Sequence, residues 1–110
     1  MHHIEIGNDE TIFEFSIIEA SRETLRLAHG LVIEIVRTEA YVRFARDLTD
    51  AFHTLAGVCR LWNEDGRAIL TISFDRGRVE VETAWGQVTR RFVTDQSYVT
   101  RTVGQVGIVE

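Results

Sequence analysis

Along this chain apolar residues fall first at alternate positions, then at intervals of three and four, then at alternate positions again. Each change of period marks a change of element. Ile4-Glu5-Ile6 reads as a short strand and Gly7-Asn8-Asp9-Glu10 as a turn cluster, and Phe13-Glu14-Phe15-Ser16-Ile17 alternates as a half-buried strand does. Leu25-Arg26-Leu27 alternates again, and the nearly continuous β-branched run Leu31-Val32-Ile33-Glu34-Ile35-Val36 suits a central strand. Between them, His29-Gly30 is either a tight hairpin turn or a bulge in one bent strand, because glycine permits positive φ.

Tyr41, Phe44, Ala45, Leu48, Phe52 and Leu55 then recur at helical spacing, with Arg43, Arg46, Asp47, Asp50 and His53 on the opposite side. The spacing predicts a helix from about Glu39 to Ala56, with Thr38 as N-cap, Glu39 at the positive end of the dipole and Gly57 as a left-handed terminator. Three or four more strands follow, over Val58 to Trp62, Ala68 to Phe74, Arg78 to Trp85 and Gln87 to Val93, joined by short loops that imply antiparallel hairpins. Leu70, Ile72 and Phe74 share one face, as do Val79, Val81, Thr83 and Trp85, while Arg78, Glu80 and Glu82 point the other way. In residues 95–109, two interior glycines each cost a helix about 1 kcal/mol relative to alanine, yet Thr94 or Asp95 as N-cap favours a closing helix. The fold class is therefore α+β: an antiparallel, mostly meander sheet covered on one face by a long amphipathic helix, with a C-terminal helix.

Length and composition fit a single domain, residues 1–110, and neither proline nor a repeated stretch interrupts it. The net charge of −5, from 17 acidic and 12 basic residues, repels nucleic acid and favours basic partners, and Arg90-Arg91 is the one adjacent basic pair. A lone cysteine, Cys59, makes no internal disulfide and suits a reducing compartment. No apolar run is long enough for a membrane span and the N-terminus lacks a signal-peptide pattern, so the expected location is the cytoplasm.

Neither a nucleophile elbow, a phosphate loop, a zinc-protease helix nor a paired-cysteine motif is present, so no catalytic, cofactor-binding or metal-ligating residues are assigned. Cys59 reads as a small buried apolar residue, His2-His3 as a frayed end or tag remnant, and His29 and His53 as solvated side chains. Trp85 shares the phase of Val79 and Val81 and reads as core. Trp62 lies beside the turn Asn63-Glu64-Asp65-Gly66, out of phase with Cys59 and Leu61, and reads as half exposed. Trp62, Glu64, Asp65, Glu80 and Glu82 are accordingly the candidate partner-binding residues, an apolar anchor with an acidic rim.

The helix segment YVRFARDLTDAFHTLAG, the strand after it, the hairpin LTISFDRGRVEVETAW and the closing DQSYVTRTVGQV together resemble the WapI-like family, immunity proteins of bacterial wall-associated-protein toxins. The resemblance covers roughly residues 4 to 106 and implies a non-catalytic domain that binds and blocks a toxin domain, often a basic nuclease; no functional residues carry over. Two other readings stand beside it. One is a small-ligand or enzymatic domain with a pocket between sheet and helix lined by Tyr41, Phe44, Phe52 and Trp85. The other is a structural protein that self-associates through a sheet edge or Trp62.

Overall fold

Four strands, β1 (His2–Gly7), β2 (Ile12–Ala20), β3 (Thr24–His29) and β4 (Val32–Arg37), form an antiparallel meander that leads into helix α1 (Thr38–Thr54). The same order then recurs: β5 (Ala56–Trp62), β6 (Ala68–Asp75), β7 (Arg78–Trp85) and β8 (Val88–Asp95) lead into α2 (Gln96–Val106). The structure, a computed structural model, describes residues 2–107. The α+β class, the meander order and both helices agree with the sequence reading, but the strands make two four-stranded sheets rather than one.

The two ββββα units match in detail. The fourth, seventh and eleventh helical residues are Tyr41, Phe44 and Leu48 in α1 and Val99, Thr102 and Val106 in α2, and all six are buried. The amide of Thr38 donates to the turn carbonyl of Glu23 at 2.9 Å, and that of Gln96 to the turn carbonyl of Gly77 at 3.3 Å. Asn8 Oδ1 accepts from the amides of Glu10 and Thr11 in the β1–β2 turn, and Asn63 Oδ1 from those of Asp65 and Arg67 in the β5–β6 turn. The units also clasp each other reciprocally. Helix α1 packs chiefly on β5 and α2 on β1, while the Glu64 amide donates to Ile35 O on β4 and Asn8 Nδ2 to Val93 O on β8. Apart from a few positions such as Asn8 and Asn63 or Arg43 and Arg101, the two units carry different residues, which is why the sequence shows no period.

Inward residues of both sheets and both helices join in one core, with Phe13, Phe15 and Trp85 in aromatic contact at its centre. The register of β3 with β4 sets the phase of the β-branched run: Leu25 faces Val36 and Leu27 faces Glu34. Glu34 therefore points inward and Ile33 outward. β4 is an edge strand, not the central one that its composition suggested, because its continuous apolar run covers the core with one face and leaves Ile33 43% exposed on the other.

Several boundaries also move. Arg37, not Thr38, occupies the N-cap of α1, and Thr38 begins the helix, its hydroxyl donating to Ser21 O instead of capping. Leu55 takes the left-handed position at the C-cap, and Gly57, at φ +117°, already belongs to β5. Gly30 closes the β3–β4 hairpin at φ +60°, which decides for a turn over a bulge. Asp95 caps α2 as expected, its carboxylate accepting from the Ser97 amide at 2.9 Å. His2 and His3 are not frayed: both pair in β1, and the His2 ring bonds Gln105 O at 2.5 Å. His29 stacks on Phe13 and bonds Glu14 O at 2.7 Å, so it is only partly solvated.

Candidate functional site

β5 alternates Cys59 and Leu61 inward with Val58, Arg60 and Trp62 outward, so the strand at the edge of its sheet carries an apolar–cationic–aromatic row on the solvent side. Helix α1 runs beside it and contributes Glu39, Ala40, Arg43 and Asp47 from its polar face; the spacing of four places the three charged residues in one line along the helix. The two rows bound an open groove of about 240 Å³. Trp62 sits at its end with 45% of its surface exposed, as its phase against Cys59 and Leu61 predicts. None of Glu39, Arg43, Asp47 and Arg60 is in an ion pair within 4.0 Å among the described residues.

The second unit supplies the comparison. There the matching positions of α2 and β1 form a groove lined by Glu5, Gly7, Ser97, Tyr98 and Arg101. That groove, of about 440 Å³, is also open, but its polar groups are paired with one another. Arg101 pairs with Glu5 at 2.6 Å, the Thr102 hydroxyl donates to Glu5 O at 2.6 Å, Gln105 Oε1 accepts from the Glu5 amide at 2.8 Å, and the Tyr98 hydroxyl donates to Asp9. In the α1–β5 groove Arg60 takes the place of Glu5, so Arg43, the counterpart of Arg101, meets a like charge, and Trp62 takes the place of Gly7. Both grooves are open; the charges of one are paired with each other, and the four charges of the other form no ion pair among the described residues.

The other candidates divide. Glu64 and Asp65 lie exposed in the turn after Trp62 and form no ion pair among the described residues, but neither lines the groove. Glu80 and Glu82 share the outer face of β7, but Arg78 pairs with Glu80 at 3.2 Å and Arg91 with Glu82 at 2.5 Å. The expected acidic strand face is thus neutralised along its length, because antiparallel register sets Arg91 opposite Glu82. Arg43, Arg60, Glu39 and Asp47 escaped the sequence reading. Their signals were the four-residue spacing on α1 and the shared phase of Val58, Arg60 and Trp62.

Cys59 is buried, and that burial, reinforced by the charge of Asp47 and opposed by that of Arg60, pushes its thiol up to about 12, far from the reactive thiolate range. Tyr41, Phe44 and Trp85 are packed in the core and Phe52 lies half-buried at its margin. His3, Glu5 and Glu14 offer three ligand atoms within 4.8 Å of one another on the outer face of β1 and β2. Arg101 already engages Glu5 there, and the His3 ring contacts Glu14 at 3.1 Å. Neither helix is long and apolar enough to cross a membrane. Comparison of the chain with protein families, curated proteins and solved structures finds no match.

Proposed function

We propose that this chain is a non-catalytic protein-binding domain whose contact centre is Trp62 in the α1–β5 groove, and that its partner is a bacterial toxin domain which it neutralises as an immunity protein. The observation that carries the reading is the contrast between two equivalent grooves, one whose polar groups are paired with each other, the other holding four charges in no ion pair among the described residues and a half-exposed tryptophan. A tryptophan ringed by charge is the composition of a binding hot spot, where truncation costs about 2 kcal/mol or more. Glu64 and Asp65 beside it and the net charge of −5 complement a basic partner. The resemblance to WapI-like proteins supplies the particular role.

Co-expression with wall-associated-type toxin domains, scored as rescue of growth, tests both parts. Rescue by the native chain and its loss in Trp62→Ala, at unchanged melting temperature, is the expected result. Absence of rescue across a panel of such toxins overturns the immunity role, and rescue that survives Trp62→Ala overturns the groove as the contact.

A further inference from the structure

His3 and Glu5 stand two apart on β1 and so share the outer face of the first sheet, where antiparallel register sets Ser16 opposite His3 and Glu14 opposite Glu5. Two carboxylates directly across a strand pair cost a sheet stability unless positive charge offsets them. The same places in the second unit are held by Val58, Arg60, Ser73 and Thr71, so the ββββα fold itself does not call for this cluster. In the sequence His3 has only His2 as a neighbouring ligand, and that ring bonds Gln105 O. The residues that meet His3 lie at an alternate position and across the strand pair.

The three side chains converge on one point. His3 Nε2 lies 3.1 Å from Glu14 Oε2 and 3.8 Å from Glu5 Oε2, and one ligand atom from each residue falls within 4.8 Å of the others. Zinc holds nitrogen and carboxylate ligands at about 2.0 to 2.2 Å, which spaces them roughly 3.3 to 3.6 Å apart, so closing these side chains on an ion takes a shift on the order of 1 Å. Two of the ligands are also oriented by residues outside the cluster. The other ring nitrogen of His3, Nδ1, lies 3.3 Å from the Ser16 hydroxyl, and Glu5 Oε1 accepts from Arg101 at 2.6 Å, which leaves Oε2 toward His3. Hydrogen bonds to the far nitrogen of a histidine and the second oxygen of a carboxylate are those that orient the ligands of a metal ion. His3 and Glu14 are open to solvent, which gives an ion its way in.

We propose that His3, Glu5 and Glu14 bind a zinc ion through Nε2 and one oxygen of each carboxylate, with a coordination position left for water or for a donor from another molecule. The imidazole selects zinc over magnesium and calcium, which prefer oxygen ligands throughout. The site is separate from the α1–β5 groove, and its occupancy does not depend on the protein-binding role.

Zinc chloride is the probe and magnesium chloride its control, titrated into the full chain without an added histidine tag and followed by calorimetry and by NMR of the histidine rings and amides. Saturable binding of one zinc per chain, with shifts at the His3 ring and at the amides of residues 3–5 and 14–16, and no binding of magnesium, is the expected result. His3→Ala and Glu14→Gln, both at solvent-exposed positions, should each weaken zinc at least about tenfold while leaving the metal-free melting temperature unchanged. His53→Ala, on the exposed side of α1, should leave zinc binding as it is. The proposal is overturned by absence of saturable binding, by magnesium binding as tightly as zinc, by ring shifts at His2, His29 or His53 in place of His3, or by His3→Ala and Glu14→Gln binding zinc as tightly as the native chain. The ring shifts are read on the native chain, so they decide the matter even where a variant fails to fold.

Discussion

Glu34 is the residue on which the two sheets meet. Only 7% exposed, it faces inward between Leu27 and the second sheet, accepting from Asn63 Nδ2 at 3.1 Å, from the Gly86 amide at 2.8 Å and from Arg67 at 2.6 Å. A buried carboxylate is tolerated only when its oxygens are satisfied, and these three donors come from two different turns of the second unit. Removing the carboxylate leaves the Asn63 amide and the Gly86 N–H without acceptors, so Glu34→Ala should cost about 2 to 4 kcal/mol in urea unfolding. Glu64→Ala, at an exposed turn position one residue from Asn63, should cost under about 0.5 kcal/mol. Cys59 gives a second test at this scale. Its folded-state value near 12 lies above the ordinary value of 9.0, so the stability linked to the protonated thiol is complete below pH 9 and is lost as pH rises toward 12. At pH 8 a disulfide-exchange reagent should therefore label Cys59 only as fast as the chain opens, and urea should accelerate labelling steeply.

At the scale of elements, period was enough to find the strands and α1, because local pattern and burial agree in nearly all of them, whereas for α2 the glycines and β-branched residues blurred the period and the N-cap at Thr94 or Asp95 favoured a helix. α1 shows this most plainly: Tyr41, Phe44 and Leu48 are buried at their predicted positions. The pattern weakened at the end of the helix, where Phe52 shares the apolar stripe yet lies half-buried at the edge of the core. Phe44→Ala should accordingly cost about 3 to 5 kcal/mol, and Phe52→Ala about half as much, compared by thermal or urea unfolding. β4 was misplaced for a related reason. A β-branched run looks alike whether both faces are buried or one is bare, and only the pairing with β3 reveals that Glu34 takes the inner side. The candidate site was legible in part. The phase of Trp62 against Cys59 and Leu61 identified the exposed tryptophan, but the neutralisation of Glu80 and Glu82 by Arg78 and Arg91 depends on β7–β8 register, and the charged wall of the groove depends on α1 lying beside β5.

At the scale of the molecule, charges that are distant in sequence meet because each unit's helix lies on the other unit's first strand. This arrangement also means that neither unit encloses its own core: β1 needs α2, and β5 needs α1. Residues 2–54 expressed alone should therefore lack cooperative unfolding, with dispersed amide resonances absent from the NMR spectrum, and should gain order only when residues 55–107 are added in trans. The reciprocal clasp carries one more consequence. The step from α1 into β5 and the gap between α2 and β1 are counterparts, one spanned by a peptide and the other by the His2–Gln105 contact at 2.5 Å. Topologically the chain is a ring of two equal arcs, cut at one of two equivalent places. A circular permutant that joins residue 107 to residue 2 through a short glycine linker and opens the chain before Ala56 should thus fold to the same structure, read as superimposable amide spectra away from the two junctions. Failure of that permutant to fold would show that the two junctions, alike in geometry, are not alike in the order of folding.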